Sequence, residues 1–181
     1  MKIYLSLLTI LQIIFVLSIK ANTMDSTKAN NLIVYGDGFT FEVKEPDGWK
    51  GDIENAAKYS SNIIFYNTAE GLDKSEVLVQ MLVFEKQDEN TIEDLMYDVN
   101  TYKQKYHNLK QKDFVSIHKE YKCYSKLVYV ENEFYQYIVY INPGKKYKNG
   151  ISITMNIDKR EATKNEIQAF NKVIESLLVI K

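Results

Sequence analysis

The segment Glu76–Glu85, EVLVQMLVFE, is nearly continuous in apolar residues and is interrupted only by Gln80. A short apolar run of this kind is typical of a central strand that is covered on both faces. A second short strand, Ile63–Tyr66, precedes it in the chain. We therefore expect Glu76–Glu85 in the interior of a sheet, and we expect the neighbouring elements to cover that sheet.

The second half of the chain contains strand patterns separated by short turns. The predicted strands are Phe114–His118, Tyr124–Val130, Phe134–Ile141 and Ile151–Ile157. In the last of these, ISITMNI, apolar and polar residues alternate strictly, which predicts one buried and one exposed face. Strands that follow one another through short turns pair antiparallel. We therefore expect an antiparallel sheet.

The first part of the chain begins with a hairpin pattern. Leu32–Tyr35 and Phe39–Lys44 flank the sequence Gly36-Asp37-Gly38, whose glycines allow the positive φ angles of a tight turn. The sequence Pro46-Asp47-Gly48-Trp49 then predicts a second turn. We expect the single Trp to cover one end of the core, because a Trp directly after a strand usually packs there.

Two amphipathic helices complete the pattern. The first is predicted over Thr91–Lys105, with Asn90 or Thr91 as its cap, and the second over Thr163–Leu178, where Thr163 and Glu166 form a capping box. Their apolar stripes are Ile92, Leu95, Met96, Val99 and Tyr102 in the first helix, and Ile167, Phe170, Ile174, Leu177 and Leu178 in the second. The predicted fold class is α+β: an α/β/α sandwich in which both helices pack on one antiparallel sheet of about six or more strands.

Three short motifs resemble the PsbP-like superfamily: Gly-Phe-x-Phe-x-Val at Gly38–Val43, Pro-x-Gly-Trp at Pro46–Trp49, and the last helix ending in Glu175-Ser176-Leu177. This superfamily includes the extrinsic PsbP subunit of photosystem II, the Mog-type Ran-binding proteins and small exported bacterial proteins. The resemblance covers residues 32–180 and implies an α/β/α sandwich around an antiparallel sheet. It implies no shared reaction and no catalytic residues, because the members mostly bind other proteins or assist assemblies.

Residues 1–21 have the layout of a secretory signal peptide. Lys2 gives a positive start, Ile3–Ile19 is mainly apolar, and Ala21 is a small residue at the end. The alternative is an uncleaved membrane anchor, because an apolar stretch of about 17 residues is at the short limit for crossing a bilayer. We expect export to the periplasm or the extracellular medium, a flexible leader over residues 22–31, and one domain over residues 32–181.

Composition and motifs argue against several functional classes. The chain has 23 Lys and Arg and 24 Asp and Glu residues, a net charge of −1, which argues against a nucleic-acid-binding surface. The sequence contains no P-loop, no Gly-x-Ser-x-Gly and no His-Glu-x-x-His motif. We therefore expect no catalytic residues, no cofactor and no metal. The single Cys123 is predicted to be a small buried hydrophobe rather than a nucleophile, because neither His107 nor His118 has a context that marks it as a base.

Two basic segments that contain tyrosines are candidate partner-binding surfaces. The first, at the end of the first helix, contains Tyr102 and Tyr106 among Lys103, Lys105, Lys110 and Lys112; the second is the loop of Lys145, Lys146, Tyr147 and Lys148. Tyrosine is enriched in the cores of protein interfaces, and lysine suits an anionic lipid, a polysaccharide or an acidic protein. The alternative for both segments is a solvated helix end or loop, where lysine is also favourable.

Together these patterns predict an exported, non-enzymatic domain that acts by contact with another envelope or secreted protein. Nucleic acid is not an expected partner, and no membrane span is expected once the signal peptide is removed. The alternatives are a hydrolase with an unrecognised site and a small-ligand carrier with a cleft near Trp49. A flat exposed apolar patch would favour protein binding. A closed apolar pocket would favour the carrier. An acid or base with a perturbed pKa in a deep pocket would favour the enzyme.

Overall fold

The computed structural model of the protein describes residues 31–180, which contain ten strands and two α-helices. The strands are β1 (Asn31–Gly36), β2 (Phe39–Lys44), β3 (Trp49–Asp52), β4 (Ile63–Asn67), β5 (Val77–Glu85), β6 (Lys110–Lys112), β7 (Lys122–Val130), β8 (Phe134–Asn142), β9 (Asn149–Asp158) and β10 (Leu178–Val179). The helices are α1 (Ile92–Lys105) and α2 (Lys164–Ser176), and single 3-10 turns lie at Ala56–Tyr59 and Leu72–Lys74. The predicted signal peptide and the leader up to residue 30 lie outside the described residues.

The strands form two antiparallel sheets. Seven of them have the order β3-β4-β5-β9-β8-β7-β6, and the other three have the order β1-β2-β10. The interior position predicted for Glu76–Glu85 is confirmed, because β5 pairs with β4 on one side and β9 on the other. The prediction of a single sheet is wrong for the hairpin, which forms its own sheet with β10. The hairpin residues Val34, Phe41 and Val43 pack face-on against the core instead of extending the seven-stranded ladder.

The two helices lie on opposite faces of the seven-stranded sheet. Alternate residues of a strand point to opposite faces, and the face we call the larger core face carries Ile151, Ile153, Met155 and Ile157 of β9. These side chains are buried with residues of α2 and of the three-stranded sheet. The other face, the α1 face, has a small cluster of Leu95, Val99, Val128, Ile138 and Tyr140. The predicted α+β class and its α/β/α arrangement are therefore confirmed.

Both predicted helices are present, and they begin in different ways. At α2, the backbone N–H of Glu166 donates to Thr163 Oγ1 at 3.4 Å, and the N–H of Thr163 donates to Glu166 Oε2 at 2.6 Å. This capping box agrees with the prediction. At α1, Thr91 precedes the helix but makes no capping hydrogen bond with its side chain. The Thr91 hydroxyl is buried without a partner among residues 31–180.

Three local predictions were wrong. Phe114–His118 is not a strand: Val115 and Ile117 are 76 % and 72 % exposed. The ring of Phe114 holds this segment against the core by contacts with Tyr137 and Phe170 rather than through a backbone ladder. Two residues also leave the predicted apolar stripes, since Ile92 is 39 % exposed and Leu178, which belongs to β10 rather than α2, is 44 % exposed.

The complete burial predicted for β5 is correct for one face only. Val79 and Met81 are fully buried on the larger core face, whereas Leu82 on the α1 face is 40 % exposed. The reason is the position of α1, which packs over β7 and β8 and leaves β5 beside it uncovered. Among residues 31–180, no helix is both long enough and apolar enough to cross a membrane.

Candidate functional site

The two predicted partner-binding surfaces lie at opposite ends of β8. Tyr102 and Tyr106 contact Phe134, the first residue of the strand, whereas the loop Lys145–Lys148 follows its last residue, Asn142. A strand rises about 3.3 Å per residue, so the nine residues of β8 separate the two surfaces by about 25–30 Å. The structure therefore does not bring them together into one site.

Tyr102 and Tyr106 form an aromatic cluster with Phe134. The two tyrosine rings are stacked, with centroids 6.4 Å apart, and Phe134 lies 4.9 Å from Tyr106. Lys105 Nζ lies 5.1 Å from the Tyr106 ring centre. These contacts attach the C-terminal end of α1 to the sheet, and they leave both tyrosines only partly exposed.

The loop Lys145–Lys148 is held by contacts with two other segments. Lys145 Nζ lies 2.5 Å from Glu89 Oε2, and this hydrogen bond raises the pKa of Lys145. Lys86 Nζ donates to the Gly144 carbonyl at 3.1 Å and fixes the start of the loop. Lys146 Nζ lies 4.8 Å from the Tyr147 ring centre. The loop is therefore a positioned structure with exposed ammonium groups.

This loop forms one wall of a cleft with a volume of about 600 Å³. The turn between β1 and β2 and the segment Val179–Ile180 form the other walls. The apolar part of the lining comprises Phe39, Phe41, Val83 and Ile151, and the charged part comprises Asp37, Glu85, Lys146 and Lys148. Its size falls within the range of ligand-binding cavities. Trp49 does not line it, and packs instead at the margin of the larger core within the described chain.

The outer face of the three-stranded sheet carries four exposed apolar side chains, and we call it the outer sheet face. Ile33 is 42 % exposed, Tyr35 74 %, Leu178 44 % and Ile180 52 %. The register places them in two rows that cross β2. Ile33 and Leu178 both lie opposite Glu42, and Tyr35 lies opposite Thr40, whose carbonyl accepts a hydrogen bond from Ile180 N.

The outer sheet face is not among the predicted surfaces, although the sequence contains a signal for it. The run Leu32–Tyr35 is apolar without interruption, and a hairpin with one covered face can bury only every second residue of such a run. Val34 is buried, so Ile33 and Tyr35 point outward. Leu178 was missed because it continues the spacing of the α2 stripe, whereas the helix ends at Ser176.

Cys123 and His118 are close in the chain but do not form a catalytic pair. Burial raises the pKa of the half-buried Cys123 thiol to about 11. The His118 ring is engaged elsewhere: Nδ1 accepts from the backbone N–H groups of Glu120 and Tyr121 at 3.0 and 3.1 Å, and Nε2 lies 2.9 Å from the Leu177 carbonyl. This arrangement requires the proton on Nε2, where it is donated to Leu177.

The comparisons with known proteins are sparse. No protein-family model matches the sequence, and no curated protein matches it. The chain is similar to the solution structure of cyanobacterial PsbP (CyanoP) from Synechocystis sp. PCC 6803, with 15 % identity and a TM-score of 0.40. The match covers 88 % of this chain and 98 % of that chain. The fold class of this protein rests on its own strands and helices.

Proposed function

We propose that this protein is an exported, non-enzymatic binding module that acts by contact with another envelope or secreted protein. The observation that carries the proposal is the outer sheet face, where Ile33, Tyr35, Leu178 and Ile180 are exposed together. The two apolar pairs lie on either side of Glu42 and Thr40. A group of exposed apolar side chains beside polar residues is typical of an interaction site. Export rests on the signal-peptide pattern of residues 1–21.

The cleft supports the same role because it adjoins the outer sheet face. Thr40 lines the cleft and lies opposite Tyr35 in the hairpin, and Ile180 belongs to both surfaces. A flat apolar patch beside a recess suits a protein partner that places one anchoring side chain in the recess. Lys146 and Lys148 at the rim would contribute mainly to the rate and salt dependence of association.

The experiment compares affinity capture by the full-length chain with capture by the double variant Tyr35→Ser/Ile180→Ser. The source is the native envelope or medium, and each captured protein is then measured against both chains by surface plasmon resonance. The matched control is Val115→Ser/Ile117→Ser, which removes two apolar side chains, 76 % and 72 % exposed, from a segment that lines neither the outer sheet face nor the cleft. Truncation of a central aromatic anchor typically weakens binding by about 2 kcal/mol. We therefore expect a loss of tenfold or more in the first variant and little change in the control.

Further single variants test the remaining surfaces one at a time. Tyr147→Ala tests the cleft, whereas Tyr102→Ala and Tyr106→Ala test the aromatic cluster at the end of α1. Equal capture by the wild type and the Tyr35→Ser/Ile180→Ser variant would exclude the outer sheet face. Loss of binding to anionic lipid vesicles in that same variant, without any captured protein, would assign the surface to membranes instead. Turnover of a small substrate that one acid or His substitution abolishes would overturn the non-enzymatic role.

A further inference from the structure

A second cavity, which we call the α1 groove, lies on the α1 face beside the helix. It has a volume of about 400 Å³. Its floor comes from the strands that α1 leaves uncovered, and includes Gln80 and Leu82 of β5, Ser152 and Thr154 of β9, and Gln136 of β8. Its helical wall contains Asp94, Tyr97, Asp98 and Tyr102. The groove shares Glu85 with the cleft and Tyr102 with the aromatic cluster at the end of α1, and it shares no residue with the outer sheet face.

The charge of the α1 groove has one sign. Glu85, Asp94 and Asp98 line it, and no Lys, Arg or His residue is part of the lining among residues 31–180. The cleft is different, because its rim carries both acidic and basic side chains. A recess lined by one sign of charge concentrates ions of the opposite sign. The α1 groove is therefore suited to a cation.

Asp94 provides an independent indication of a missing partner. It is only 6 % exposed, and its Oδ1 accepts a hydrogen bond from the Gln87 backbone N–H at 3.2 Å. Its Oδ2 is buried and has no hydrogen-bond partner in the described chain. The helix dipole favours a carboxylate in the first turn of α1. It does not provide the donor that a buried carboxylate oxygen requires.

Asp98 lies one turn further along α1, on the same side as Asp94. The Tyr140 hydroxyl donates a hydrogen bond to Asp98 Oδ2. Burial, and then this hydrogen bond, raise the pKa of Tyr140 far above its ordinary value, so the phenol remains a donor. This hydrogen bond fixes the Asp98 carboxylate in the lining of the groove. The two aspartates thus place two carboxylates one turn of helix apart in a groove whose lining has no basic side chain among residues 31–180.

The uncharged residues of the groove lining favour an organic cation over a hydrated metal ion. Tyr97 is 62 % exposed and Leu82 is 40 % exposed, and both line the groove. Aromatic rings attract ammonium groups, and apolar side chains accept the aliphatic part of such a ligand. We propose that the α1 groove binds a small aliphatic amine, with an ammonium group at the carboxylates of Asp94 and Asp98 and its alkyl chain against Leu82 and Tyr97.

The test is isothermal titration calorimetry of the full-length chain with spermidine at constant ionic strength. The proposal predicts saturable binding at one site per chain. Asp98→Asn keeps the acceptor for Tyr140 but removes the charge, and it should weaken binding about tenfold or more. Tyr97→Leu keeps an apolar contact but removes the ring, and it should weaken binding by a smaller factor. The matched control is Glu93→Gln, which removes one charge from an exposed position of α1 outside the groove and should have little effect.

Several outcomes would overturn the assignment. Equal weakening by Asp98→Asn and Glu93→Gln would indicate attraction to net charge without a site. Tighter binding of Ca²⁺ or Mg²⁺ than of spermidine would replace the amine by a metal ion, and equal binding of a neutral polyol such as sorbitol would remove the role of charge. No saturable binding of spermidine would also exclude the proposal. Circular dichroism of each variant separates a lost site from a lost fold.

Discussion

The two faces of the seven-stranded sheet are formed by the same alternating strands but are covered to different extents. On the larger core face, α2 and the three-stranded sheet together cover the strands, and Ile153 is completely buried. On the α1 face a single helix covers β7 and β8 only, and Leu82 of the neighbouring interior strand is 40 % exposed. The difference shows that the cover, rather than the strand pattern, decides whether a side chain becomes core or the wall of a groove.

This difference separates stability from binding. Burial of apolar surface is the main favourable contribution to folding, and most of the buried apolar residues lie on the larger core face. The α1 face retains buried polar groups, including Asp94, Ser152 and Thr91. Substitutions on the larger core face should therefore reduce the free energy of unfolding most. Removal of a buried polar group that has no partner on the α1 face should instead increase the free energy of unfolding.

The largest effect is expected for Phe170→Ala on the larger core face. Phe170 is completely buried on α2 and packs against Phe114. Loss of a buried Phe side chain leaves a cavity and typically costs about 3–5 kcal/mol. Urea denaturation followed by circular dichroism measures the free energy of unfolding. A loss below about 1.5 kcal/mol would mean that this face is less tightly packed than described.

Leu95→Ala is the corresponding substitution on the α1 face. Leu95 is 2 % exposed, but its cluster is small and lies beside the α1 groove. Because neighbouring side chains can relax into the vacated space, we expect about 2–3 kcal/mol, the lower part of the usual range. The same urea titration measures it. If Leu95→Ala destabilises the protein more than Phe170→Ala does, the proposed ranking of the two faces is wrong.

Substitutions at the N-termini of the two helices should change the stability by smaller amounts, and the two changes should have opposite signs. Thr163→Ala removes the capping hydrogen bond of α2 and should cost about 1 kcal/mol. Thr91→Val keeps the shape of a completely buried side chain and removes a hydroxyl that has no partner in the described residues, so it should stabilise the protein by about 1 kcal/mol. Thermal unfolding of the two variants should shift in opposite directions. Destabilisation by Thr91→Val would show that its hydroxyl has a partner.

The smallest effect concerns Cys123, at the margin of the larger core face. Its pKa of about 11 keeps the thiol protonated at pH 8, where only about one molecule in a thousand carries the reactive thiolate. We expect slow labelling by a disulfide reagent, with a rate that rises about tenfold for each pH unit between 8 and 10. The urea-unfolded chain is the control and should react faster at pH 8. Equal rates in both states would place Cys123 outside the core, and Cys123→Ser should leave partner binding unchanged.

The fold was largely predictable because its signals are local. The Ile and Met alternation of β9 and the capping box of α2 each lie within a few residues, and the buried face of β9 and the capping box are confirmed. The exposed face predicted for β9 is wrong at Ser152, which is only 7 % exposed. Phe114–His118 failed because alternation alone does not reveal whether a segment has a neighbouring strand. Here the ring of Phe114, rather than a ladder, attaches the segment to the core.

The candidate sites were less predictable because they depend on contacts distant in the chain. The outer sheet face needs Tyr35 and Ile180 on the two sides of β2, and no pattern within either segment indicates this pairing. The α1 groove needs the position of α1 over β7 and β8. The helix dipole is a sufficient reason for acidic residues in the first turn of a helix, so the sequence alone does not indicate that Asp94 lines a cavity.

The pairing of β10 with β2 has a consequence for the order of events during synthesis. Leu178 of β10 lies opposite Glu42 of β2, although almost the whole described chain separates the two residues. A contact between such distant positions requires closure of a long loop and forms slowly. The three-stranded sheet cannot be completed until Leu178 and Val179 have left the ribosome. Until then the hairpin of β1 and β2 lacks its third strand, and the larger core face lacks part of its cover.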